Sequence, residues 1–459
     1  MPRQVSAFAV FFLAVNTTVA TAENWPQFRG PHGDAVVRDA FPQRWDSNSN
    51  VRWKTEGAGE GWSAPAVWNG RLFLTAAVMT KKPAGGQQKA QDRPRRRRSG
   101  RNQGRGRGRG GYRNNLATAE YRWEVQCLDT KNGEVLWKQV TREGNPPQGR
   151  HAQNTYATET PITDGERVYA YFGMNGLYCF TVDGTPVWRK DLGNYKMRND
   201  WGTSSSPALH DGILYLQIDS QEQSFVVALD AKSGDEIWRA DREEPSQYSS
   251  PVIWENSSRV EVVTGGQTAR SYDPKSGEVL WQLSMTGGRS SATPLAIGDR
   301  LYIGSEFRDR GGDDDGGGYL FAVNPGAYGE ITTTSGDNVA WALPKSGIQM
   351  ASPVLCEGHL YLFERRRGVV HCINANTGNI VYERRVSGAG AFWSSPWVYQ
   401  DKVFCIDNSG TTHVLQGGPE YQVLHTNKLG EQVWSTPAIA DGSVFVRTTK
   451  SLYCIGPPR

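Results

Sequence analysis

Asp129-Thr130-Lys131-Asn132-Gly133-Glu134-Val135-Leu136-Trp137 decides the fold. A strand runs into an Asp, the chain turns at a Gly, and a further strand ends on a large aromatic. The spacing returns at Asp230 to Trp238, Asp273 to Trp281 and Asn374 to Tyr382, with Gly133, Gly234, Gly277 and Gly378 at one turn position. Glycine there permits a positive φ, and an aromatic four residues later can pack on a neighbouring sheet.

A second marker sets the count. Proline preceded by small hydroxyl or Ala residues occurs at Pro65, Pro161, Pro207, Pro251, Pro294, Pro353, Pro396 and Pro437. The gaps are 96, 46, 44, 43, 59, 43 and 41 residues. A period of about 40–50 residues with strand-like segments is the signature of a β-propeller. Proline suits the start of an innermost strand, where a missing N–H is tolerated. Composition agrees: 52 Gly, 16 Trp and 18 Tyr against 6 Met in 459 residues favour short strands and turns over helices.

The reading is therefore all-β: an eight-bladed propeller of four-stranded antiparallel blades over residues 23–459. The eighth blade begins at Pro437 and the chain stops after three strands, at Tyr453-Cys454-Ile455. Asn50-Val51-Arg52-Trp53-Lys54 is expected to supply its missing outer strand, closing the ring and removing open sheet edges.

The Asp-x-x-x-Gly-x-x-x-Trp step resembles the docking motif of the pyrroloquinoline-quinone-like (PQQ-like) propeller repeat, and the resemblance spans the chain after residue 22. It implies two kinds of relative. Quinoprotein dehydrogenases hold the quinone and Ca²⁺ in the central channel, use an Asp as base and often carry a disulfide between adjacent cysteines. Here there is no Cys-Cys pair and no Cys-x-x-Cys-His for haem, and Asp200 is a candidate base by location alone. The propeller subunit of the outer-membrane barrel-assembly machinery is similar in repeat type and is a scaffold; this chain departs from it in having no Cys before Cys127 for lipid attachment. The opening Trp25-Pro26-Gln27-Phe28-Arg29-Gly30 looks like the start of a group of exported propellers of this class.

Residues 1–22 read as a cleavable signal peptide: Arg3, an apolar run from Val5 to Val15, and Ala20-Thr21-Ala22. The run is shorter than the roughly 20 residues that span a bilayer, and no later stretch is apolar enough to do so. The expected location is periplasmic or secreted.

Aligning the third strands puts Cys127, Cys179, Cys372, Cys454 and His413 at the position of Ala228, Ser271 and Ala322. A site shared by Cys, Ala and Ser wants a small buried side chain, and equivalent atoms of different blades lie too far apart to bridge. The six cysteines are expected as buried thiols. The seven histidines show no zinc-like spacing, so no metal site is expected.

Two segments interrupt the repeat, each joining second to third strands, in blades 1 and 5. Around 80–120 lies an Arg/Gly-rich insert with Arg95, Arg96, Arg97, Arg98, Arg105, Arg107 and Arg109. From Lys81 to Arg113 it carries 13 Lys and Arg against Asp92, net +12; the chain totals +4, so the remainder carries −8. With no apolar residues to bury, this segment reads as a disordered basic arm. In an exported protein an acidic polysaccharide or lipid headgroup is expected as its ligand ahead of nucleic acid, the alternative being a solvated loop with no specific partner. Asp309, Asp313, Asp314 and Asp315 form an acidic loop without the spacing of a Ca²⁺ hand.

The loops from outer to next inner strands line one mouth of a propeller channel. There stand Arg198, Asp200, Trp201, Tyr248, Arg289, Gln349, Trp393 and Trp434, with Trp62 and Met350 beside them. Aromatic walls with a few converging polar groups suit a ligand pocket. The favoured function is a non-catalytic binding or scaffold protein for a protein or polyanionic envelope partner, without a cofactor. The alternative is a PQQ- and Ca²⁺-dependent dehydrogenase acting on an alcohol or sugar.

Overall fold

The computed structural model describes residues 23–82, 119–285, 289–306, 318–332, 336–346 and 348–457. The signal-peptide reading, the arginines at 95–109 and the Asp cluster at 309–315 lie outside them. Eight sheets each run from inner to outer strand in chain order with antiparallel neighbours, apart from added strands noted below. Blades 1 to 7 occupy 66–144, 162–190, 208–242, 252–284, 295–343, 354–385 and 397–428. Blade 8 takes Ala438–Ala440, Ser443–Arg447 and Ser451–Ile455 and is completed by Val51–Glu56, with Trp53 opposite Cys454. The expected closure is present.

The repeated Gly and Trp dock consecutive blades. A Cβ on Gly133 would lie 2.7 Å from Trp53, one on Gly184 2.7 Å from Trp137, and one on Gly234 2.8 Å from Trp188. Each indole lies flat on the next blade's turn, and its N–H reaches a carbonyl there: Trp53 to Thr130 at 2.9 Å, Trp137 to Val182 at 2.9 Å, Trp188 to Ala231 at 3.1 Å. Trp281 differs, donating within its own blade to the buried Glu261 carboxylate at 2.7 Å. The hairpins between first and second strands turn on pairs such as Asp211-Gly212 and Asp441-Gly442, with positive φ at both residues, a turn whose twist matches the strands.

Several expectations need correction. The docking aromatic stands near the start of the outer strand: Trp137 is third in Val135–Gly144. It faces the small residue of the third strand, as in Cys127 opposite Trp137 and Ala228 opposite Trp238. In blade 7 the residue opposite His425 is Val414, so His413 lies one step out of register. Its ring points instead to the buried Asp407, at 3.2 Å. All six cysteines are buried, and none is in a disulfide. Two sheets have five strands: Gly329–Ile331 adds in parallel to the outer strand of blade 4, and Val36–Val37 adds in parallel to the inner strand of blade 7.

That last strand belongs to a plug. Trp25 pairs with Val67 on blade 1, Thr163 N–H of blade 2 donates to the Pro26 carbonyl at 3.0 Å, and the buried Arg29 reaches the Pro353 carbonyl on blade 6. Trp25 covers Gly30, whose φ is +83°, leaving no room for a Cβ. The opening motif thus closes one end of the channel. Among the described residues no helix is long and apolar enough to cross a membrane.

Candidate functional site: a two-tiered funnel on the propeller axis

The segment before each repeated proline is extended, so alternate residues face the channel. Three residues before the proline, Trp62, Tyr248, Trp393 and Trp434 line an upper tier, with Thr158, Ser204, Ser291 and Met350 in the other blades. One residue before it, a lower tier carries a hydroxyl in seven blades and Ala64 in the eighth. These tiers enclose a cavity of about 780 Å³ whose floor includes Phe28 of the plug.

The lower tier is a hydrogen-bonded ring. Ala64 N–H donates to Thr160 Oγ1 at 3.1 Å, Thr160 N–H to Ser206 Oγ at 3.0 Å, and Ser206 N–H to Ser250 Oγ at 2.9 Å. Ser250 N–H continues to Thr293 Oγ1 at 3.4 Å, and Thr293 N–H to Ser352 Oγ at 3.0 Å. Ser352 N–H reaches Ser395 Oγ and Ser395 N–H reaches Thr436 Oγ1, both at 3.0 Å. Each hydroxyl oxygen therefore satisfies the amide of the blade before it. The eighth step has no hydroxyl, because the next residue is Ala64. In every other step the amide before the proline thereby finds its acceptor on the neighbouring blade.

Above the ring the wall is two-sided. Over blades 7, 8 and 1 it is apolar: Trp62 stacks on Trp434 at 4.6 Å and 19°, and Trp393 meets Trp434 at 4.5 Å. Over blades 5 and 6 it is cationic, with Arg289, Arg365 and Arg366. The Arg289 guanidinium sits over the Trp201 ring at 4.4 Å, and the His151 ring meets the same indole edge-on at 5.8 Å. Burial, reinforced by Arg289 and Arg365, pushes His151 below its ordinary pKa, so it is neutral at pH 7. Burial also pushes the Tyr248 phenol up to about 12, against the pull of Arg289 and Arg198. Glu306, outside the wall, pairs with Arg289 at 3.4 Å and Arg365 at 3.3 Å. Among the described lining residues there is no Asp, Glu or Cys.

Of the residues expected at this mouth, Trp201, Tyr248, Arg289, Trp393 and Trp434 line the cavity, as do Trp62 and Met350. Arg198, Asp200 and Gln349 do not. The Arg198 amide is tied to Ser246 Oγ at 3.0 Å, and Gln349 Oε1 accepts the Arg365 amide at 2.9 Å behind the wall. Sequence reading missed the hydroxyl ring, although its signal is the Ser or Thr preceding seven of the eight prolines. It also missed His151, Arg365, Arg366 and the Phe28 floor, which no repeat position announces.

Away from the funnel, Glu364, His371 and Glu383 bring one potential ligand atom each within 4.8 Å of one another. The imidazole lies between two carboxylates, Nε2 at 3.1 Å from Glu364 and Nδ1 at 3.4 Å from Glu383. A second cavity, of about 430 Å³, lies between the plug and the inner strands of blades 3 to 5; Phe28 lines both.

The chain is 23% identical over 217 residues to tetrathionate hydrolase of Acidithiobacillus ferrooxidans, covering 41% of this chain and 38% of that one. It is 28% identical over 133 residues to quinohemoprotein alcohol dehydrogenase ADH IIB of Pseudomonas putida, covering 26% and 18%. The matches thus span well under half the length of these curated relatives. Among solved structures, a europium-containing methanol dehydrogenase superposes with a TM-score of 0.56 at 10% identity, covering 92% of this chain and 89% of that one. Quinohemoprotein alcohol dehydrogenase from Comamonas testosteroni gives 0.55 at 10%, covering 95% and 81%. At such identities the likeness concerns the fold. The family described as outer membrane protein assembly factor BamB matches residues 82–247 and 174–327, together more than half of the chain. With the repeat, the ring of eight blades and this match, the chain belongs to that family of PQQ-like propellers.

Proposed function

We propose that the protein is an exported, non-catalytic binding propeller whose funnel holds the anionic part of a cell-envelope component. The observation that carries this reading is the composition of the wall: four tryptophans, a tyrosine and three arginines, with no carboxylate or thiol among the described lining residues. Guanidinium groups hold anionic groups, and aromatic platforms hold the apolar part of a ligand, without needing to transform it.

The dehydrogenase reading draws on the likeness to quinoproteins. Ca²⁺ takes six to eight oxygens, usually with carboxylates among them. The wall offers the amides of Gln153, Asn154 and Asn408, so this donor set does not fit the ion.

Tryptophan fluorescence separates the readings. Dextran sulfate is expected to quench the mature protein saturably, and to do so still in a variant lacking residues 83–118. Pyrroloquinoline quinone with Ca²⁺ is expected to give no dye-linked alcohol oxidation. Turnover in that assay would overturn the reading; loss of all binding with the insert removed would move the site away from the funnel.

A further inference from the structure

We infer that the base of the funnel is built for a hydroxylated ring bearing one acidic group: a sugar carrying a sulfate, phosphate or carboxylate. This rests on the binding reading above and names the ligand class.

The first support is the lower tier. Each of its seven hydroxyls accepts an amide hydrogen from the neighbouring blade, and none donates to a protein acceptor among the described residues. Their residues are at most 8% exposed, yet all line the cavity. Seven O–H donors therefore remain unassigned around one axis. A buried donor calls for an acceptor, and a ligand rich in oxygen supplies several at once.

The second support is the wall's asymmetry. The Trp62–Trp434–Trp393 cluster stands over the seam where Ala64 replaces the hydroxyl, so the apolar wall meets the apolar gap in the ring. Arg289 and Arg365 line the wall over blades 5 and 6, on a different arc of the ring from the indoles. Glu306 is shared by both arginines and offsets one of the two charges. A ligand lying across the funnel would lay an apolar ring face on the indoles and turn its acidic group towards blades 5 and 6. Trp62 and Trp434 already stack on each other, so the ligand meets an exposed indole face or edge rather than intercalating. A sugar ring, apolar on its faces and hydroxylated at its rim, matches wall and floor together.

Isothermal titration calorimetry of the mature protein with glucose 6-sulfate, glucose 6-phosphate, glucuronate, glucose and inorganic sulfate tests this. At least one charged sugar is expected to bind ten-fold or more tightly than both glucose and inorganic sulfate. Arg365→Met is expected to lower that affinity ten-fold or more, with glucose binding unchanged. Arg366→Met, at an exposed position of the same rim, gives a second measure should Arg365→Met misfold. Glucose binding as tightly as its charged forms would overturn the acidic-group reading, and inorganic sulfate binding as tightly would overturn the ring. If no charged sugar binds while dextran sulfate still quenches without turnover, this inference fails and the binding reading stands. Dye-linked turnover would instead bring down the binding reading itself.

Discussion

The Ser435 hydroxyl donates to the Ser63 carbonyl oxygen at 2.9 Å, across the seam where the last blade meets the first. This bond stands where the hydroxyl ring is broken by Ala64. Arg447 reinforces it from behind: its Nη1 donates to Ser63 Oγ and to the Thr75 carbonyl, both at 2.8 Å, and Nη2 reaches the Gly59 carbonyl at 3.4 Å. Burial pushes the Arg447 guanidinium down to about 10, opposed by Glu60. Arg447→Leu leaves these acceptors unmatched and is expected to destabilise the ring by about 2–4 kcal/mol, against about 1 kcal/mol for Ser435→Ala. Denaturant midpoints measure both, and equal losses would mean that Arg447 does not hold the seam.

Much of this fold is legible in the chain because the propeller repeats its devices. Eight prolines give eight blades, and a Gly four residues before a Trp gives docking between them. The hydroxyl ring was written in the same motif, but its role depends on the neighbouring blade, which a single repeat does not contain. The plug is a different matter. Trp25, Phe28 and Arg29 occur once, and their positions follow from contacts with blades 1, 2, 6 and 7, hundreds of residues away in some cases. His413 lies one residue off because the position just before the bulge, held by Cys127, Ala228 and Cys372 in other blades, is Val414 in blade 7, where no small residue marks it.

Closure of the ring carries a pH signature. Lys54 on the closing strand pairs with Glu431 at 2.8 Å. Burial works against ionisation of Glu431, but hydrogen bonds from Lys54, Thr448, Tyr453 and Ser451 outweigh it and hold its pKa down to about 2, from an ordinary 4.5. A carboxylate held low in the folded state contributes stability that is complete above about pH 4.5 and lost as pH falls towards 2. The melting temperature of the native protein should therefore drop more steeply across that window than that of Glu431→Gln. Parallel profiles would remove Glu431 from the account.

The docking glycines should be intolerant of any side chain. Gly234 has a φ of +76°, and a Cβ there would lie 2.8 Å from the Trp188 ring. Left-handed backbone costs an Ala about 1–2 kcal/mol, and displacing the indole adds about 1–3 kcal/mol more. Gly234→Ala should lower stability by about 2–5 kcal/mol in urea titrations. Gly212→Ala, at a φ of +76° with nothing within 4 Å, isolates the backbone share. If the two variants lose equally, the indole contact is not what excludes a side chain.

The thiols should be silent. Burial pushes Cys127, Cys179 and Cys356 up to about 12, and all six cysteines are buried. The thiolate is the reactive form, so a disulfide reagent at pH 8 should modify none of them in the folded protein and six per chain in guanidinium. Early modification of one thiol would expose a local opening of its blade.

Arg29 should be dispensable for stability, unlike Arg447. It is 1% exposed, and burial pushes its pKa down to about 10, with Asp34 in partial opposition. Its Nη2 donates to the Pro353 carbonyl, while Nε and Nη1 have no hydrogen-bond partner among the described residues. One carbonyl is poor return for the desolvation of a cation; the three acceptors around Arg447 are a different balance. Replacing an incompletely matched buried charge by an apolar side chain of similar volume is often neutral or stabilising. Arg29→Met should therefore unfold at a denaturant midpoint equal to or above that of the native protein. Arg29→Ala should fall below both, because it leaves a cavity at a position 1% exposed, with a loss of about 2–4 kcal/mol. A clear loss in Arg29→Met would show that the bond to Pro353 seats the plug, and that the guanidinium is what fixes Phe28 as the floor of the funnel.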